Sequence, residues 1–290
     1  MPLTIRTLAL VPRRSRHSLG LRCSLVLMLS ACGDAPLPAT GEQQTERFTS
    51  AIVDDDYVLR VRLPPGYDAA ASEGYPLIVQ LDPTFAGLEQ YAITVGLVSD
   101  YAGRGEWPEA IVVGVDYDNP YLRDRDYLPA DPPDPAFAGE GADRFYRVLR
   151  DELLPTIESR YAVDPSRRYL LGHSNGGVFA WYATLRHDPV DGAPLFAGVV
   201  AADCGYTEAL FTYERWHDER ADDLPVAVYA TRALYNGAIQ QITFNAMIER
   251  VRDHGYPGLA LETEVLETDH GGAVWPSYEA GLGFLLGGAP

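Results

Sequence analysis

The residues most suited to chemistry lie in Arg168-Tyr-Leu-Leu-Gly-His-Ser-Asn-Gly-Gly-Val178. An apolar, strand-like run ends in Gly172-His173-Ser174-Asn175-Gly176, and an apolar, helix-like run follows at once. This is Gly-x-Ser-x-Gly in a strand–turn–helix setting, the pattern of a nucleophile elbow. A serine at the tip of so sharp a turn has a strained backbone, so the residues two positions away must be nearly free of side chain. Gly172 and Gly176 meet that need, and Gly177 lets the following helix press close to the sheet. No Lys follows, and the spacing is not that of a G-x-G-x-x-G phosphate loop. Ser174 is the candidate nucleophile.

A serine hydroxyl at neutral pH needs a positioned base. Of the six His, His17 lies in a basic N-terminal segment and His173 is the variable residue of the elbow. His187, His217 and His254 sit on helix-like or polar segments, where surface roles are expected. His270 comes after the last strand-like run, in the chain order Ser…acid…His that accompanies this elbow. Asp269 before it and Gly271-Gly272 after it predict an exposed, tight loop. His270 is the candidate general base.

These residues must be carried by alternating strands and helices. Strands are expected at Tyr57–Leu63, Leu77–Leu81, Ile111–Val115, Tyr169–Leu171, Phe196–Ala202, Val226–Ala230 and Leu259–Leu266, several of them short apolar runs of the kind that fill buried parallel sheets. Helices are expected at Gly87–Tyr101, Gly141–Tyr161, Gly177–Arg186 and near Ile239–Asp253, the last closed by a glycine cap at Gly255, and an apolar stretch, Trp275–Leu286, follows the last strand. Asp116–Gly139, rich in Pro and Asp, reads as a long irregular segment that could cover substrate. Repeated βα units with no strand-only block predict one doubly wound α/β domain, with helices on both faces of a mostly parallel sheet. Ligands in such sheets sit beyond the carboxyl ends of the strands, where Ser174, Asp203 and His270 fall.

Charge narrows the partners. The chain has 290 residues and a net charge of −18, and all of its 23 basic residues are Arg. So acidic a chain argues against nucleic-acid binding and disfavours polyanionic substrates. Residues 1–31 hold Arg but no acid, and Ser24–Ala31 forms a short apolar run, together reading as an export signal. Residues 32–47 suit a flexible tether, leaving 48–290 as the domain. Of three Cys, Cys23 lies in the signal and Cys32 at its boundary, so Cys204 alone remains in the body; neither a disulfide nor a Cys-ligated metal site can form within the domain. Asp54-Asp55-Asp56 reads as solvated charge, and no metal or other cofactor is expected.

Two resemblances extend this reading. Leu29-Ser30-Ala31-Cys32 resembles the lipobox of bacterial lipoproteins; the resemblance implies lipidation at Cys32 and an exported protein of the cell envelope that meets the membrane only through its anchor. Gly172-His-Ser-Asn-Gly-Gly177, Glu152-Leu-Leu-Pro-Thr-Ile-Glu-Ser-Arg-Tyr161, Gly255-Tyr-Pro-Gly258 and Asp269-His270 followed by Trp275-Pro276 are similar to the putative-esterase family. That likeness runs from about Phe48 to Leu286. It implies an α/β-hydrolase fold, a Ser–His–acid triad containing Ser174 and His270, and a small-molecule ester as substrate.

Two departures from the family pattern bear on the triad and on oxyanion binding. Relatives often carry an acid in the turn after the strand matching Val226–Ala230, where this chain reads Thr231-Arg-Ala-Leu-Tyr-Asn-Gly237. Asp203 is the candidate substitute, Asn236 the alternative residue to orient the histidine, and a Ser–His dyad or another acid the remaining possibility. Oxyanion binding is expected from the N–H of Asn175 and from the loop Asp82-Pro83-Thr84-Phe85. Pro83 has no N–H to give, so Thr84 is the chosen donor there, with Phe85 as its alternative. The expected activity is hydrolysis of a carboxylic ester through a Ser174 acyl-enzyme. The alternatives are acyl transfer at the same site and a binding lipoprotein that has lost catalysis.

Overall fold

Burial decides which apolar runs become central strands. The computed structural model describes residues 41, 43–84, 87–117, 119, 121–129, 141–186, 193–205, 208–221 and 223–287. Strands β1 (Gln43–Ser50), β2 (Asp55–Arg62), β3 (Tyr75–Leu81), β4 (Ile111–Tyr117), β5 (Val163–His173), β6 (Gly198–Ala202), β7 (Ala227–Ala233) and β8 (Ala260–Leu266) form one sheet in the order β1-β2-β4-β3-β5-β6-β7-β8. β1, β2 and β4 pair antiparallel and all other neighbours pair parallel. β3, β4 and β6 are buried nearly throughout, as apolar strands covered on both faces must be.

Helices α1 (Gln90–Gly103), α2 (Leu122–Tyr127), α3 (Ala142–Arg147), α4 (Leu154–Arg160), α5 (Asn175–Leu185), α6 (Glu208–Asp218), α7 (Ala238–His254) and α8 (Val274–Leu286) complete the elements. Alternation along the strands sends successive side chains to opposite faces. Leu77, Val79, Leu170 and Val199 join Phe145, Phe179 and Met247 in one core, while Ile78, Leu171 and Val200 join Leu97, Tyr278 and Leu282 of α1 and α8 in the other. α5 is buried from Gly176 to Leu185. Its large side chains each contribute roughly 1.5–3 kcal/mol by leaving water. This is the α/β-hydrolase-like architecture expected, with helices on both faces.

Three differences have physical causes. Residues 43–47, expected in the tether, belong to β1. Their polar alternation suits an edge strand, and the pairs Arg47–Asp56 (3.0 Å) and Arg160–Glu46 (2.6 Å) hold it down. Within the segment read as irregular, α2 forms because its side chains find distant partners, described below. The expected helix over 141–161 runs unbroken from Ala142 to Arg160, but Val148–Leu153 is wound as a π-helix. Pro155 lacks the N–H of an i→i−4 bond and its ring crowds the carbonyl of Asp151, which a wider turn relieves.

The export signal, Cys32 and the tether as far as residue 40 lie outside the described residues. Among the described residues, no helix is long and apolar enough to cross a membrane.

Candidate active site

β3 is flanked by β4 on one side and β5 on the other, which makes a switch point whose crevice lies beyond the strand ends. Asp82, Ser174, Asp203, Asn236 and His270 all lie just past the ends of β3, β5, β6, β7 and β8.

Ser174 occupies the turn between β5 and α5 with φ 60° and ψ −124°, a conformation that costs a non-glycine residue roughly 1–3 kcal/mol. Its N–H donates to Ala202 O at 3.0 Å, tying the elbow to the end of β6. A Cβ on Gly172 would stand 2.1 Å from Gly176 O, so the glycine there is compulsory. One on Gly177 would stand 2.8 Å from Cys204 Cβ, so the buried Cys204 is seated against the start of α5. Gly176 is less constrained, its nearest neighbour being Asp82 Oδ2 at 3.4 Å.

Asp203 is 1% exposed and sits at φ 41° directly after β6. Its Oδ1 accepts from Ala233 N–H at 2.6 Å, and Asn236 Nδ2 donates to Oδ1 and Oδ2 at 2.6 and 2.7 Å. His270 Nδ1 stands 2.7 Å from Asp203 Oδ2. Burial works to raise this carboxyl, but the bonds from His270, Ala233 N–H and Asn236 outweigh it and hold the group below its ordinary value. An ionised carboxylate only accepts, so His270 Nδ1 carries the proton and Nε2 is left with a lone pair. Asn236, the alternative residue for orienting the histidine, therefore contacts Asp203 rather than His270. β7 runs on to Ala233, beyond the expected Ala230, and so brings both the Ala233 N–H and the Asn236 turn over Asp203.

His270 stands 49% side-chain exposed in the loop after β8. The Ser174 hydroxyl makes no hydrogen bond among the described residues. A histidine that the sequence left without a role is also present: His173, 2% exposed, places Nε2 2.8 Å from the carbonyl oxygen of His270, the ring centroids being 4.3 Å apart. Burial, with His270 close by, pushes its imidazole down to about 4, so it is neutral at pH 7. One ligand atom each from His173, Asp203 and His270 lie within 4.8 Å of one another. His173 Nε2 and His270 Nδ1 are already engaged, with His270 O and Asp203 Oδ2.

For oxyanion binding, Asn175 is the first residue of α5, and its N–H has no intrahelical acceptor. After β3 the Asp82 N–H donates to Tyr127 Oη at 3.3 Å, and the Thr84 hydroxyl donates to Asp116 Oδ2 at 2.7 Å, which leaves the Thr84 N–H as the candidate. Phe85 lies outside the described residues. α2 braces this loop. Arg123 Nε donates to Asp82 Oδ2 at 2.9 Å and Asn175 Nδ2 donates to Asp124 Oδ1 at 2.8 Å. Arg125 pairs with Asp55 at 3.0 Å, and Tyr57 Oη donates to Asp126 Oδ2 at 2.7 Å. Burial pushes Asp82 up to about 6 against the pull of Arg123. No local signal marks α2, because its partners lie 41 to 70 residues away.

A family model described as "Putative esterase" matches residues 50–226, a span that contains Ser174 and Asp203 and stops before His270. Ferri-bacillibactin esterase BesA of Bacillus subtilis (strain 168) is 31% identical over 132 residues, 39% of this chain and 43% of that protein. The match thus spans less than half the length of that curated relative. The BES protein from Bacillus cereus superposes with a TM-score of 0.69 at 20% identity, over 87% of this chain and 99% of its own. Siderophore hydrolase EstB from Aspergillus nidulans gives 0.68 at 14% identity, over 87% and 98%. An IroE-like serine hydrolase from Shewanella oneidensis gives 0.67 at 22% identity, over 83% and 79%. At these identities the three structures share the fold.

Proposed function

We propose, from the premise that this chain belongs to the putative-esterase family, that it hydrolyses a carboxylic ester through a covalent intermediate on Ser174. The observation that carries this reading is the 2.7 Å contact of His270 Nδ1 with a buried Asp203, at the strand ends where Ser174 holds its strained turn. Ser174 Oγ attacks the ester carbonyl carbon and its proton passes to His270 Nε2. The oxyanion meets the N–H of Asn175 and that of Thr84. Collapse expels the alcohol, which takes the proton from His270 and leaves Ser174 acylated. Water then attacks the acyl group, giving its proton to His270, and the acid leaves as Ser174 recovers its hydrogen. Asp203 stays ionised throughout, fixing the tautomer and stabilising the imidazolium.

The substrate class we propose is a siderophore ester, supported by the curated relative, which is named a ferri-bacillibactin esterase. The place of action we propose is the cell envelope, with Cys32 as the lipid-bearing residue. The test is turnover of p-nitrophenyl acetate and butyrate, and of ferri-bacillibactin, by residues 33–290 beside Ser174→Ala. Turnover and fluorophosphonate labelling lost in the variant support the reading. A parent protein without turnover or labelling refutes it.

A further inference from the structure

We infer that His173, the residue between Gly172 and Ser174, is a positioning residue that fixes the loop carrying His270. The inference rests on the reading of Ser174 and His270 as nucleophile and base. His173 ends β5 and is buried, and although the Asp203 carboxylate lies nearby, the hydrogen bond its imidazole makes is to the backbone of the histidine loop. A carbonyl oxygen only accepts, so the 2.8 Å contact means that His173 Nε2–H donates to His270 O.

The loop needs such a hold. Its first residues are tied to the β7 turn by Leu234 N–H to Leu266 O and Tyr235 N–H to Thr268 O, at 2.8 and 3.1 Å. Its far end joins α8 through Ala273 N–H to Asp269 O and Val274 N–H to Gly271 O, at 3.1 and 3.4 Å. His270 lies between these anchors, half exposed, and His173 grips its backbone while Asp203 grips its side chain. Fixing the carbonyl and Nδ1 together sets the direction of Nε2. The residue that fixes the carbonyl is the chain neighbour of Ser174, so the elbow and the histidine loop share a link one residue long. Productive geometry tolerates errors of only about 0.5 Å, and such links supply that tolerance. His173 serves as a neutral donor, adding no cation beside the imidazolium that must form on His270.

The test compares His173→Phe, which keeps a ring without the N–H, with His173→Gln, whose amide can donate to the same carbonyl. Misplacement of the base by about 1 Å costs roughly 10²-fold, so H173F should lower kcat by about that factor with KM within about twofold, and H173Q should recover most of it. Amide hydrogen exchange across residues 270–274 gives a readout free of turnover: faster in H173F, and near the parent rate in H173Q. Should H173F not fold, His173→Asn, polar but too short to reach the carbonyl, takes its place. Unchanged kcat and unchanged exchange in the variant without the donor would overturn the inference. So would an H173Q as impaired as H173F in both. A parent that turns over nothing defeats the hydrolase reading instead, and the exchange comparison still decides whether His173 holds the loop.

Discussion

The Asn236 amide donates to both carboxylate oxygens of Asp203, at 2.6 and 2.7 Å, from the turn after β7 in which the sequence offers no acid. A carboxylate stands instead at the end of β6, and the turn after β7 hydrogen-bonds to it. The departure at that turn thus leaves His270 with a carboxylate partner.

Asp203→Asn should lower kcat by roughly 10⁴-fold, because an amide neither fixes the tautomer nor stabilises imidazolium. Asn236→Ala removes a bond to a charged group worth roughly 1.5–3 kcal/mol. That bond lowers the Asp203 pKa, so its loss should raise it, and the acid limb of the kcat/KM profile should shift to higher pH. A profile identical to the parent's would argue that Asn236 does not support Asp203.

Gly172→Ala should destabilise the fold by roughly 3 kcal/mol or more, since its methyl would stand 2.1 Å from a backbone oxygen that cannot move aside. Gly176→Ala should cost far less, its nearest neighbour being 3.4 Å away. Urea midpoints of the two variants give the comparison, and equal midpoints would contradict it.

Arg123→Ala strands the buried Asp82 carboxylate and should cost roughly 3–5 kcal/mol. Asp82→Leu with Arg123→Met removes both charges together and should cost less than R123A alone. A double variant weaker than the single one in chemical denaturation would show that the pair is not the source of the effect.

His173 binds a proton at about 4 in the native state and near 6.5 when unfolded. Between these values the unfolded chain holds the extra proton, so this group withdraws stability as pH falls through that window. The withdrawal should total roughly 3 kcal/mol. In H173Q this part of the acid destabilisation disappears, and the parent and variant curves of stability against pH should converge or cross toward pH 4. Parallel curves from pH 7 to pH 4 would count against a buried neutral His173.

If Cys32 is the lipid-bearing residue, globomycin, which blocks lipoprotein signal peptidase, should make an unprocessed precursor accumulate in a bacterial host. Processing that ignores the drug would remove Cys32 as the anchor and leave a soluble exported protein.

The legible parts of this chain were those whose signal is local. The elbow announces itself within six residues, and the buried strands by short, mostly apolar runs such as Ile111–Val115. The placement of His270 after the last strand and of Asp203 after β6 followed from strand ends alone. Residues 43–47 of β1 read as tether because an edge strand exposes polar residues that composition cannot tell from a linker. α2 and the role of His173 were hidden for another reason. Arg123, Asp126 and His173 find their partners 41, 69 and 97 residues away, and only the folded sheet brings them together.

The close seat of Cys204 against Gly177 makes the elbow chemically reportable. In residues 33–290 Cys204 is the sole thiol, and it is buried. A disulfide reagent in solution reaches it only when the packing around it, the start of α5 included, opens. The rate of thiol modification therefore reads the opening free energy of the packing behind the turn that holds Ser174, with no probe to introduce and no residue to replace.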